Sequence, residues 1–174
     1  SEPSEDKFDV ILRRGFLIIK DMALASLNHF EKGDYENLKE KKDQLDKLMF
    51  FCKRSLTKKI NSFNKPLIYW EQITYLLAIG HGYYYLNEYL KKTKKPSKEL
   101  IEYFSDIIDS FDLLYQGMYK KDIKFVSKIK NLKDSLVFNR PELMLEKNKD
   151  NSAVIAKLMY QARIIQLTAG SVFY

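Results

Sequence analysis

The sequence predicts an all-α protein of six helices, arranged as two tandem three-helix bundles with antiparallel, up-down packing. Three observations predict it. Apolar residues recur at three- and four-residue steps over most of the 174 residues, which is the period of a helix face. Only 6 Gly and 4 Pro interrupt them, so the helices should be long and the loops short. One order of elements then occurs twice: an apolar helix, a break with Asp, a charged helix, a polar loop and a very apolar helix.

Residues 1–7 read as a flexible tail. Ser1-Glu2-Pro3-Ser4-Glu5-Asp6 is acidic and does not have the pattern of a signal peptide. The first repeat is placed at 8–95 and the second at 96–174. In the first helix Val10, Ile11, Phe16, Ile19, Ala23, Leu27 and Phe30 share one face, and Gly33-Asp34 interrupts the pattern. Asp34 is expected to cap a second helix over 35–62, with Asn37 where a capping box has Glu. Leu38, Leu45, Met49, Cys52, Leu56 and Ile60 form its stripe, and the span 39–47 is otherwise charged. Asn64-Lys65-Pro66 marks a turn, with Pro66 suited to start a third helix over 67–92. Ile68, Trp70, Ile73, Leu76, Leu77, Ile79, Tyr83, Tyr84, Leu86 and Leu90 surround almost the whole of that cylinder. Neighbouring helices or another subunit should therefore cover it.

A basic connector, Lys91-Lys92-Thr93-Lys94-Lys95-Pro96, leads to Ser97, a helix start. The fourth helix, 98–119, carries Leu100, Phe104, Ile107, Phe111, Leu114 and Met118 on one side. The fifth begins near Asp122 with Phe125, Ile129, Leu132 and Leu136. Arg140-Pro141 should stop or kink it, leaving a short extra turn over 142–146. A polar loop, 147–152, precedes a last helix over 152–174 that is apolar nearly throughout.

The net charge of +7 comes mainly from Lys. Lys is a solvated point charge, whereas Arg suits forked phosphate contacts, so a solvated surface is expected rather than direct nucleic-acid contact. The single cysteine, Cys52, lies in the apolar run Leu48-Met49-Phe50-Phe51-Cys52 and reads as a buried structural thiol. With no internal disulfide available, a reducing, cytoplasmic setting is expected. No run of about 18 uncharged apolar residues suggests a spanning helix. There is no Gly-rich phosphate loop, nucleophile elbow or supported Cys–His pairing, so neither catalysis nor a cofactor is expected.

The stretch Phe30 to Lys47, FEKGDYENLKEKKDQLDK, resembles the PhoU pattern, in which a helix ends, an acidic residue opens the next, and an Asp-x-x-Asp-like segment follows. ITYLLAIGHGYYYL, Ile73 to Leu86, resembles that family's second signature, and YQARIIQLTAG, Tyr160 to Gly170, repeats it more weakly. The resemblance covers about residues 8–174. It implies two three-helix bundles side by side and a role as a phosphate-uptake regulator. Archaeal relatives often carry such a domain behind a small AbrB-like DNA-binding domain. In the family, paired carboxylates four residues apart build multinuclear metal sites. The corresponding positions here are Leu77 and His81, then Ala162 and Gln166. No acidic pair remains, so those metal clusters are expected to be absent or badly weakened.

His81 has two readings: a metal ligand or pH-sensitive contact, and a packed imidazole bonded to a helix carbonyl or a Tyr hydroxyl. Without neighbouring carboxylates the second is expected. His29 is placed at a helix C-terminus, favoured by charge. Asp43 and Asp46, with Glu36 and Glu40, face a cation or a partner in one reading and pair with neighbouring Lys in the other. Trp70 and Tyr83-Tyr84-Tyr85 read as core and interface rather than base-stacking groups. Lys91, Lys92, Lys94 and Lys95 are candidates for phosphate, partner or anionic-lipid contact, hence for peripheral membrane association. The candidate partner-binding residues are therefore Asp43, Asp46, His81, Lys91, Lys92, Lys94 and Lys95. The expected function is a regulatory domain that docks on a transporter, sensor or transcriptional partner as a homo-oligomer, most simply a dimer. The alternative is the oligomerisation or effector half of a DNA-binding regulator, which a chain not beginning with Met would suit.

Overall fold

The computed structural model describes residues 5–172. The first four residues of the expected tail lie outside that range, and the chain is helical from Glu5. Helix α1 (Glu5–Lys32) is seated by Phe8, Leu12, Phe16, Ile19 and Ala23, all buried. Val10, expected on this face, is 69% exposed. It sits two residues from both Phe8 and Leu12, which turns it to the opposite side of the helix. Gly33 stops α1 with φ +81°, its N–H reaching the His29 carbonyl at 2.8 Å.

Helix α2 (Lys39–Lys58) starts later than the capping pattern suggested. Asp34 does not cap it. Instead the Asn37 Oδ1 accepts from the Lys39 N–H at 3.0 Å, and the fully buried Leu38 anchors the entry. Ile60 leaves the helical stripe, in a single 3-10 turn (Ile60–Ser62), and is half exposed. Helix α3 (Pro66–Leu90) has its proline in the first turn, as read from the sequence. It packs on α1, on α2 and on the last helix, α7 (Ser152–Ser171). Its glycines permit this closeness. A Cβ on Gly80 would lie 2.1 Å from Leu45, and one on Gly82 would lie 1.7 Å from the Gln161 amide. The cover is not complete, because Leu67, Trp70, Tyr85 and Tyr89 stay exposed.

Helix α4 (Lys98–Lys120) is capped by Ser97, whose Oγ accepts from the Leu100 N–H at 3.3 Å. Lys121, at φ +51°, turns the chain, and Asp122 caps α5 (Ile123–Lys133) by accepting from the Lys124 N–H at 2.9 Å. The helical run does not stop at Pro141. It passes through a π-helical stretch (Asp134–Asn139) directly into α6 (Arg140–Lys147). Proline has no N–H and its ring clashes with the carbonyl four residues back, so a widened turn accommodates it. The Arg140 N–H reaches the Ser135 carbonyl, one residue beyond the α-helical partner Leu136. The Tyr103 hydroxyl, from α4, donates to the Leu136 carbonyl at 2.6 Å. The Arg140 side chain pairs with Asp106 and lies 5.4 Å from the Tyr103 ring centroid.

With α5 and α6 joined in one run, the described residues form six helical rods. Helices α1, α2 and α3 each touch the other two, as do α4, α5 and α7; α1–α4 and α3–α7 contacts join these groups. Buried side chains from all the helices form one hydrophobic cluster. Aromatic pairs bridge the groups, with Phe16 stacked on Phe111 at 5.5 Å and Tyr83 on Phe104 at 6.2 Å. Among the described residues there is no strand, and no helix is long and apolar enough to cross a membrane.

Candidate functional site

On α2, Asp43, Asp46, Phe50, Lys53 and Thr57 follow one another at three- and four-residue steps and so share a face. On α3, Trp70, Leu77 and His81 lie seven and four residues apart, two turns and one, and share a face as well. Facing one another, the two helices form a groove of about 990 Å³. Asp43, Asp46 and Lys47 line one end, and Phe50, Lys53, Arg54, Thr57 and Trp70 the rest.

The acidic end is self-neutralised. Lys39 Nζ reaches Asp43 at 2.6 Å and Lys42 Nζ reaches Asp46 at 2.9 Å, both one helical turn apart as the lysine spacing predicted. Lys39 beside it holds the Asp43 carboxyl below the usual carboxylate range, with Lys42 adding to the effect. The other Asp46 oxygen is 2.6 Å from His81 Nε2. A carboxylate only accepts, so that nitrogen carries the proton. Two of the candidate residues singled out from sequence, on different helices, are thus direct partners. The expected carbonyl or tyrosine partner of His81 is corrected: the imidazole is half-buried against an aspartate. His29 is buried too, its Nδ1 3.0 Å from Asn87 Oδ1, and Asn87 Nδ2 donates to the Glu36 carbonyl at 2.8 Å.

The other end is aromatic and cationic. Phe50 is 53% exposed and Trp70 41% exposed. The Lys53 amine lies 4.7 Å from the Trp70 ring centroid, and burial pushes its pKa down. Lys47, Lys53 and Arg54 meet no carboxylate at ion-pairing distance among the described residues. Thr57, the hydroxyl in the lining, donates to the Arg54 carbonyl at 3.0 Å. Among the described residues no group of three His, Cys, Asp or Glu is placed to hold a metal ion. The groove offers aromatic faces and cations, a chemistry suited to holding a partner surface.

The remaining candidates lie elsewhere. Lys91 pairs with Glu88 at 2.6 Å over the Tyr35 ring, and Lys94 pairs with Asp150 at 2.9 Å. Lys92 and Lys95 are exposed in the same connector, and none of these four lines the groove. Leu77 packs against the core, one turn before His81. Ala162 is buried, and Gln166 Nε2 donates to the Ile129 carbonyl at 2.7 Å, tying α7 to α5. Sequence reasoning missed Phe50, Lys53 and Arg54. The available signal was the pair Phe50-Phe51, because adjacent helical positions point about 100° apart and cannot both fill one stripe.

No protein-family profile, curated protein or solved structure matches the chain.

Proposed function

We propose that this chain is a regulatory protein-binding domain, resembling the phosphate-uptake regulators, that docks a transporter, sensor or transcriptional partner in the α2–α3 groove. One observation carries the reading: Phe50 and Trp70 are left partly open to solvent beside Lys47, Lys53 and Arg54, which meet no carboxylate at ion-pairing distance among the described residues. Exposed aromatics bordered by basic side chains are what interface hot spots are built from. The mutual contacts of α1, α2 and α3, and of α4, α5 and α7, support two tandem three-helix bundles as the scaffold, and the short connections between successive helices suit antiparallel packing. The buried thiol of Cys52 suits a reducing, cytoplasmic setting.

The test is complementation. Deletion of the coding region should alter phosphate uptake or phosphate-responsive transcription. The Phe50→Ala/Trp70→Ala chain should fail to restore it while melting within a few degrees of the parent, since neither side chain belongs to the buried core. Full restoration by that variant, or a deletion without phosphate phenotype, overturns the reading.

A second reading, the oligomerisation half of a DNA-binding regulator, is favoured by a different observation. Val10, Leu17 and Leu24 recur every seventh residue along α1 and are 69%, 51% and 47% exposed. Such a stripe suits pairing with the same helix of a second copy. Sedimentation equilibrium decides it: a dimer that Leu17→Glu dissociates supports this reading, and a monomeric parent chain ends it.

A further inference from the structure

A second groove, of about 590 Å³, lies between α5 and α7. Its charge has one sign. Lys130, Lys133 and Arg163 line it, and no carboxylate does. The bias extends along both helices: α5 (Ile123–Lys133) and α7 (Ser152–Ser171) contain no Asp or Glu at all, yet together carry six cations. None of the three groove cations meets a carboxylate at ion-pairing distance among the described residues. On α2, by contrast, Lys39 and Lys42 are neutralised one turn away by Asp43 and Asp46.

The groove also has an apolar lining. Ile123 is 63% and Leu167 38% exposed, and Val126 is half-buried between the helices. At one edge Gly170 keeps the surface low, since a Cβ there would meet nothing within 4 Å. These features select among anionic occupants. A free phosphate ion is far smaller than the groove and has no use for its apolar lining. A bilayer surface is flat, whereas this cleft is concave. An acidic amphipathic helix uses every feature: apolar residues at helical spacing against Ile123, Val126 and Leu167, its backbone close over Gly170, and carboxylates toward the three cations.

We propose that the α5–α7 groove binds an acidic amphipathic helical segment of a partner protein. This surface is separate from the α2–α3 groove and differs from it in chemistry. It selects its partner by charge as well as by apolar contact.

The full chain would be panned with a display library of random peptides about 16 residues long, some four helical turns. Enriched peptides should carry net negative charge with apolar residues every three or four positions. By fluorescence anisotropy their affinity should fall about tenfold or more for Lys130→Glu/Lys133→Glu. It should fall likewise for Gly170→Phe, which fills the cleft from an open position and leaves the melting temperature close to that of the parent. Affinity should hold for Lys92→Glu/Lys95→Glu, which makes the same change in net charge in the α3–α4 connector, and for Phe50→Ala/Trp70→Ala. Four outcomes overturn the proposal: no acidic bias among the winners, equal loss from the connector reversal, loss confined to the Phe50/Trp70 variant, or retained binding by Gly170→Phe. Stronger retention of the parent chain than of the Lys130/Lys133 variant on phosphatidylserine vesicles, with no difference in peptide affinity, would assign the groove to a membrane instead.

Discussion

Gly82→Ala isolates the packing of α3 against α7. Two effects oppose each other. Alanine in a helix interior is favoured over glycine by about 1 kcal/mol. The added Cβ, however, would stand 1.7 Å from Gln161 Nε2 and 2.9 Å from its Cδ. Gln161 is 1% exposed, so its amide has no solvent to swing into. Forcing one extra methyl into such a seam costs about 1–3 kcal/mol. The net effect is a loss of up to about 2 kcal/mol. Gly170→Ala supplies the reference, because its Cβ enters open space and only the propensity effect remains, reduced near the end of α7. Urea unfolding of the two variants should therefore differ in midpoint with little change in slope, Gly170→Ala being the more stable. Gln161→Ala should relieve the Gly82→Ala defect, giving a coupling energy of about 0.5–3 kcal/mol in a double-mutant cycle. Equal stability of the two alanine variants, or no coupling to Gln161, refutes the close approach of these helices.

Two further perturbations probe groups buried for different reasons. Tyr103→Phe keeps the ring and removes the hydroxyl that satisfies the Leu136 carbonyl, so it should cost about 1–3 kcal/mol in denaturant titration; an unchanged midpoint would mean that the π-helical turn does not need this donor. Burial, with a smaller effect of Asp9, pushes the Cys52 thiol up to about 12, against 9.0 for a free thiol. Between those values the unfolded chain releases a proton that the folded chain keeps, so Cys52 makes stability fall as pH rises, by about 1.4 kcal/mol per unit at most. Comparing alkaline unfolding of the parent with Cys52→Ala isolates this effect, and identical curves would contradict it.

Helices were legible because their apolar period, and caps such as Pro66, Ser97 and Asp122, act over a single turn. The misreadings arose where a neighbouring side chain or a contact distant in sequence overrode the local signal. Asp34 looks like a cap, but buried Leu38 and the Asn37 side chain place the start of α2 further on. Pro141 looks like a stop, but a widened turn and a tyrosine from α4 carry the helix through it. In the candidate site, Asp43, Asp46 and His81 were each visible as polar residues beside apolar stripes. That Asp46 and His81 meet depends on how α2 lies against α3, which no local pattern encodes. The aromatic end of the groove was hidden for a related reason: a hydrophobic residue in a helical run reads as core until the direction of the seam is known.

The same reasoning changes the meaning of the net charge. As composition, +7 looks like a diffuse lysine surplus. Folding sorts it. Lys39 and Lys42 of α2 sit one turn from aspartates and are spent locally, whereas α5 and α7, separated in sequence by α6, come together without one acid between them. The two grooves should therefore respond differently to salt. The screening length shrinks from about 10 Å at 0.1 M to about 3 Å at 1 M ionic strength, which weakens attraction to Lys130, Lys133 and Arg163. Burial of Phe50 and Trp70 by a partner is an apolar contribution and survives that change. Binding at the α5–α7 groove should accordingly fall steeply on raising salt, while binding that depends on Trp70 loses only the share contributed by Lys47, Lys53 and Arg54. A partner whose affinity at Lys130 and Lys133 is indifferent to salt would show that charge is not what this groove reads.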